Sequence, residues 1–159
     1  MKILEHDILQ NVTIGALALH RFTSKYFSEK QNVNGPALAL AMPVLPIVFH
    51  ESTLKSISTK RYEGGFFNAL NAYRELPAGL QQRMEDMAEQ TFRSLNLAYQ
   101  CKILTYNKEL NEILPIESKV PTHQYNTDIK EILKGAERLG FWFAALPLEQ
   151  ICINLKITF

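Results

Sequence analysis

The stretch from Gln31 to His50 contains no charged side chain, and its apolar part, Pro36–Phe49, constrains the fold more than any other segment. A bilayer-spanning helix needs about 20 apolar residues, whereas a run of about 10–14 is more typical of a buried core helix. Pro43 and Pro46 would each remove an internal backbone hydrogen bond, which predicts a kink or two short helices. A segment that is apolar on every side must be surrounded by protein, so we expect it at the centre of the fold.

Length and charge place few demands on this chain beyond a globular fold. Its 159 residues suit a single domain, residues 1–159, and 47% of them are hydrophobic. The formal net charge is +1, with no basic tail or acidic block that would indicate nucleic acid or a membrane as a partner. Glu5 and Asp7 lie where a secretory signal would be apolar, so we expect a cytoplasmic protein. Cys101 and Cys152 are accordingly predicted to be reduced core cysteines.

The spacing of apolar residues predicts a mainly α fold with a small β hairpin. Helices are expected at residues 7–29, 66–76, 80–99 and from a cap at Thr127 or Asp128 to about residue 143. The stretch around residues 50–61 is polar and is assigned no element of its own, and residues 103–116 are interpreted as the hairpin. The C-terminal stretch from Pro147 fits a helix better than an edge strand.

The order of elements across residues 63–116 is helix, turn, helix, hairpin, which is the order of a winged helix-turn-helix. The predicted fold is therefore a winged-helix-like core with additional N-terminal helices in residues 7–60 and C-terminal helices in 127–159. The second helix of such a unit usually enters the major groove of DNA. Here that helix, residues 80–99, has two Arg and three acidic residues, a formal charge of −1. It is unsuited to binding phosphates, which favours a protein-binding use.

A search for catalytic or cofactor-binding motifs finds none. The four histidines have no ligand spacing with each other or with the cysteines. Gly64-Gly65 lacks the Lys-Ser/Thr of a phosphate-binding loop, and the nucleophile elbow is absent. We therefore expect a protein that is not an enzyme and that needs no cofactor or metal.

Two groups of side chains remain as candidates for contacts with partners. Lys55, Lys60 and Arg61 lie among Ser and Thr residues, and they either touch nucleic-acid phosphates or belong to a solvated loop or protein contact. The second group is Phe66, Phe67 and Trp142. Aromatic residues are enriched in binding hot spots, and neighbouring aromatics cannot all point one way from a helix. Their other interpretation is simple core packing.

Several segments resemble a known family. They are NVTIGALALHRFTSKYF at residues 11–27, GPALALAMPVLPIVFH at 35–50 and LKSISTKR at 54–61. The family has an apolar run ending in Leu-Pro-Leu-Val-Leu-His, which Leu45–His50 matches, and a glycine-aromatic helix, which Arg138–Phe143 matches. These segments resemble the middle components of three-component ABC systems, which are encoded between an SMC/Rad50-like ATPase and an effector in bacterial defence operons. The Lamassu subunit LmuC is similar.

This resemblance implies an accessory subunit without catalytic residues. It would bind an SMC/Rad50-like ABC ATPase and position an effector, often a nuclease, until foreign DNA is sensed, and it would reach double-stranded DNA through the complex. To influence the ATPase, the subunit must prefer one of the states of the ATPase. The alternative is a winged-helix transcription regulator, which predicts operator binding by the isolated protein.

Overall fold

A computed structural model describes residues 5–74, 76–116, 120 and 125–159. In chain order, its helices are α1 (Glu5–Glu29), α2 (Leu38–Ala41), α3 (Val44–Val48), α4 (Glu51–Ser58), α5 (Gly65–Ala72), α6 (Leu80–Asp86), α7 (Ala88–Gln100), α8 (Thr127–Ala144) and α9 (Leu148–Leu155). Strands β1 (Leu104–Asn107) and β2 (Glu112–Pro115) lie between α7 and α8 and pair in antiparallel fashion. The predicted mainly helical fold with one hairpin is confirmed.

The apolar run forms two short helices, α2 and α3, as its prolines predicted. Pro43 stands between them, and its carbonyl oxygen accepts a hydrogen bond from the Ile47 amide at 3.2 Å. All five residues of α3 are buried, and this helix contacts α1, α4, α6 and α8. The α3 part of the apolar run therefore lies inside the protein, where α1, α4, α6 and α8 pack around it.

Helix α8 packs along α1 more extensively than any other described pair of elements. The helices approach closely at Gly140, where an added Cβ would lie only 2.5 Å from the carbonyl oxygen of Phe22. Phe143 lies one turn further along α8, and its ring meets that of Phe22 edge-on with centroids 5.8 Å apart. We call this close contact between α1 and the second half of α8 the α1–α8 seam.

On another side of α1 lie helix α7 and the hairpin. An added Cβ on Gly15 would meet the Ser94 hydroxyl of α7 at 2.3 Å, so a small residue lets these two helices approach. The hairpin is tied to the start of the apolar run, because the Ile113 amide donates to the Pro36 carbonyl oxygen at 2.8 Å. Ile113 itself is completely buried. Residues 63–116 contain three helices, α5, α6 and α7, followed by the hairpin, which is compatible with a winged helix.

The structure corrects several predicted boundaries. The helix expected over 80–99 is interrupted at Met87, so that α6 packs against α3 while α7 packs against α1. The helix expected over 66–76 ends at Ala72. Helix α8 is capped by Asn126, whose side-chain oxygen accepts a hydrogen bond from the Ile129 amide at 2.9 Å, and not by Thr127 or Asp128. The C-terminal stretch is a helix, α9, as predicted.

Helix α4 was not predicted as a separate element. Leu54 and Ile57 give the polar stretch after His50 an apolar side that packs on α8. Polar composition hid this side, since the buried hydroxyl residues Thr53, Ser56 and Ser58 neighbour these two residues in the sequence. The expected burial of both cysteines was wrong for one of them. Cys101 is exposed and Cys152 half-buried, so Cys101 is not a core cysteine. It follows α7 directly, at the turn before β1, where the chain runs at the surface.

Candidate partner interface

The hydroxyl groups of α4 are used inside the fold. The Thr53 hydroxyl donates to the Ile47 carbonyl oxygen at 2.5 Å, and the Ser56 hydroxyl donates to the Thr53 carbonyl oxygen at 2.6 Å. Both side chains are almost completely buried. These hydrogen bonds satisfy the hydroxyls within the protein, as buried polar groups require. The Thr53 hydrogen bond fixes α4 to α3, while that of Ser56 lies within α4, and neither is directed toward a ligand.

The three predicted basic residues lie on the outer side of this region. Lys55 Nζ is 2.8 Å from the Glu51 carboxylate one turn earlier on α4, an exposed pair that contributes little to stability. Lys60 Nζ lies 5.5 Å from the centre of the Tyr73 ring. Lys55 and Tyr73 both line a hollow of about 260 Å³, so Tyr73 lies near both Lys55 and Lys60. Arg61 is exposed.

Helix α8 holds the backbone that carries Lys60 and Arg61. The Arg138 guanidinium donates to the Lys60 carbonyl oxygen at 2.8 Å, and the Trp142 indole donates to the Tyr62 carbonyl oxygen at 2.7 Å. The Arg138 guanidinium also lies 5.3 Å from the centre of the Tyr62 ring. Burial raises the pKa of the Tyr62 hydroxyl, which keeps it neutral. Lys60 and Arg61 therefore lie on a backbone segment that two hydrogen bonds from α8 hold in place.

The three predicted aromatic residues divide into two classes. Phe66 and Trp142 are each only 3% exposed, and their ring centroids are 5.7 Å apart. Phe66 also meets Phe143 at 6.2 Å, which joins α5 to the core. Phe67 is 48% exposed. Phe66 and Trp142 are packed within this chain, and of the three rings it is Phe67 that is open to a partner.

The largest of the described cavities was not predicted from the sequence. It has a volume of about 790 Å³ and lies between the start of α1, the α3–α4 junction, the α6–α7 junction and the start of α8. Half of the described residues that line it are apolar, and they include Ile14, Val48, Leu54, Met87 and Ile132. These residues come from distant parts of the chain, so no local motif marks the cavity.

The charged side chains that line this cavity are mostly acidic. Among the described lining residues they are Glu51, Asp128 and Glu131, against one cation, Lys55, a formal balance of −2. Glu51 is paired with Lys55, and the Glu131 carboxylate accepts a hydrogen bond from the Ser58 hydroxyl at 3.0 Å. We call this cavity, with its apolar and acidic lining, the acidic groove. An apolar surface with a charged border is typical of contacts between polypeptides.

The described residues were also searched for metal sites and membrane spans. No group of His, Cys, Asp or Glu side chains among them has an arrangement that could hold a metal ion. No helix among them combines the length and the apolar character that crossing a bilayer requires.

Fold and surface together describe a small helical protein with a groove suited to another polypeptide. The chain matches a family model over residues 4–159, and that family is the ABC-three component (ABC-3C) system Middle Component 3. The chain belongs to this family. No curated protein and no solved structure matches it.

Family membership confirms the broader part of the resemblance seen in the sequence. The protein is a middle component of an ABC-three component system, which is an accessory role exercised together with the other components. The match extends over nearly the whole chain, so it includes the elements that build the acidic groove and the basic residues Lys55, Lys60 and Arg61.

Proposed function

We propose that this protein is a non-catalytic adaptor of the cytoplasm that links an SMC/Rad50-like ABC ATPase to an effector nuclease in anti-phage or anti-plasmid defence, as the similar Lamassu subunit LmuC suggests. The observation that carries the proposal is the family match over residues 4–159. The groove of about 790 Å³ between α1, the α3–α4 junction, the α6–α7 junction and α8 supports the proposal, because it offers a surface for a partner. An adaptor acts by binding one state of its partner more tightly than another.

The second candidate is a winged-helix transcription regulator, which the order of elements in residues 63–116 favours. The predicted DNA-reading helix is divided into α6, which carries Arg83, and α7, which carries Arg93, and both are poorly equipped for binding DNA. Arg93 is paired with Glu89 at 2.7 Å, and Arg83 is half-buried and donates to the carbonyl oxygens of Pro46 and Ala78. Neither arginine is free to neutralise a phosphate, which DNA binding needs several times over.

Co-purification separates the two candidates. The tagged protein would be produced together with the products of its neighbouring genes, and the masses of the eluted complex would be measured. We expect an ATPase and an effector to elute with it, and we expect the isolated protein to have no nuclease or ATPase activity. If the protein elutes alone and binds operator DNA in a salt-dependent way, the adaptor proposal is wrong.

The assembled complex also allows a test of the predicted basic contact. Replacing Lys55, Lys60 and Arg61 by Glu should flatten the dependence of DNA binding on salt, by about one unit of log–log slope for each lost phosphate contact. The control replaces three exposed lysines elsewhere by Glu, namely Lys102, Lys108 and Lys156. If both triple variants keep the salt slope of the wild type, the basic cluster does not touch DNA.

A further inference from the structure

The acidic groove has the two properties that recognition of an amphipathic helix requires. The first is an apolar surface to which several elements contribute. Ile14, Met87 and Ile132 are half-buried within this chain, so each retains surface that a partner could cover. Burying such surface is the main favourable term in most association between proteins. A helix that lies in an apolar groove presents side chains at i, i+3, i+4 and i+7 to it.

The second property is an unbalanced negative charge beside that apolar surface. Asp128 and Glu131 lie one turn apart at the start of α8, and neither forms an ion pair with another described residue. The single cation of the lining, Lys55, is already paired with Glu51 at 2.8 Å. Glu131 also accepts a hydrogen bond from the Ser58 hydroxyl at 3.0 Å, so Asp128 is the more open of these two carboxylates, and the described lining keeps an excess of negative charge. Complementary charge steers partners and selects among them.

We propose that the acidic groove binds a basic amphipathic helix of another component of the system, with its apolar side chains against Ile14, Met87 and Ile132 and its Lys or Arg residues near Asp128 and Glu131. This inference rests on the proposed adaptor function, and it names the surface and the chemistry of that contact. An acidic helix is excluded as an occupant, because it would place like charges against both carboxylates.

The charged and apolar parts of the groove should affect different rate constants. Charges at the border of an interface mainly set the association rate and its salt dependence, whereas buried apolar contacts mainly set the dissociation rate. The Asp128→Lys/Glu131→Lys double variant is therefore expected to slow association about tenfold and to lose most of the salt dependence. Met87→Ala is expected to speed dissociation about tenfold while leaving the salt dependence unchanged.

The experiment measures binding kinetics of the full-length protein to each of the other two components, purified separately, at low and high salt. The matched control is Glu109→Lys/Glu149→Lys, which makes the same change of charge at two exposed positions. One of them, Glu149, lies in the first turn of its helix as Asp128 does. We expect this control to bind almost as the wild type does. Circular dichroism of each variant confirms that it is folded.

The outcomes distinguish this inference from the function on which it rests. If the wild type binds one component and the groove variants bind it equally well, the adaptor function stands and the groove is not its docking site. If the wild type binds neither component, both proposals fail. A photo-crosslinking residue at Gln90, which also lines the groove, identifies the occupant. A crosslinked segment that is basic and has helical apolar spacing supports the inference, and an acidic or non-helical segment overturns it.

Discussion

The two halves of helix α8 face opposite kinds of environment. Its first two turns carry Asp128, Glu131 and Ile132 into the acidic groove, where the side chains keep exposed surface. Its second half carries Leu139, Gly140 and Phe143 into the α1–α8 seam, where they are buried. One helix thus lines the proposed docking groove at its start and packs in the core at its end. Substitutions in the second half are therefore expected to change the stability of the fold, and substitutions in the first half to change binding to a partner.

The largest expected loss of stability comes from the second half. Phe143 is completely buried and contacts the rings of Phe22 and Phe66, so Phe143→Ala should lower the free energy of unfolding by about 3–5 kcal/mol. Ile132→Ala, in the first half, removes a half-exposed side chain and should cost much less. Urea denaturation of both variants measures this. Equal losses of unfolding free energy in the two variants would show that the groove and the α1–α8 seam contribute alike to stability, and the contrast between the two halves of α8 would be wrong.

Two glycines on α8 sharpen the same contrast. The added methyl group of Gly140→Ala would meet the Phe22 carbonyl oxygen at 2.5 Å, and backbone cannot move aside easily, so we expect a loss of about 1–3 kcal/mol. In Gly135→Ala the methyl group would meet the end of the Leu54 side chain at 2.7 Å, which can change rotamer. Alanine also stabilises a helix by about 1 kcal/mol relative to glycine.

We therefore expect Gly135→Ala to be close to neutral in the same denaturation experiment. The two variants make an identical chemical change five residues apart on one helix, so each serves as the control for the other. If Gly140→Ala is as stable as Gly135→Ala, the two helices of the seam can separate at little cost, and the close packing of α1 against α8 does not determine stability.

The seam was more accessible to sequence reasoning than the groove, and the reason is physical. Periodicity along one helix predicts which face is buried, so α1, α7 and α8 were found approximately where they lie. The prolines of the apolar run predicted its division into α2 and α3. Periodicity does not show which other element of the chain packs against each buried helix face. The groove needs four separate parts of the chain, and only packing brings them together.

The aromatic run at the end of α8 illustrates both sides of this limit. Three consecutive aromatics cannot share one helical face: Trp142 and Phe143 are buried, while Phe141 is half-buried against Tyr62, with ring centroids 5.1 Å apart. The sequence did not reveal that Phe141 is covered by another segment of the same chain, with Lys25 above its ring at 5.7 Å. Such contacts depend on the α1–α8 approach, which the pattern of one helix does not specify.

The smallest expected effect tests the polar edge of the α1–α8 pair. His20 lies on α1, in a pocket that it lines together with Arg21, Ser24, Lys25 and Glu137 of α8. Burial, and secondly the charge of Arg21, lowers the pKa of His20 from its ordinary value near 6.5. The unfolded chain therefore binds a proton at this residue more readily than the folded protein does. It follows that His20 contributes a loss of stability as the pH falls below about 6.5, which is complete once the pH lies below the lowered pKa.

His20→Gln removes this titration while keeping a polar side chain of similar reach. We expect the wild type to lose more thermal stability than the variant between pH 7.5 and pH 5.5, and the other three histidines, present in both proteins, cancel in the difference. Scanning calorimetry at the two pH values measures it. An equal loss in both proteins would mean that His20 is protonated as easily in the fold as in the unfolded chain. The His20 side of the α1–α8 seam would then be accessible to water. The difference between the two halves of α8 would in that case rest on the buried contacts of Gly140 and Phe143.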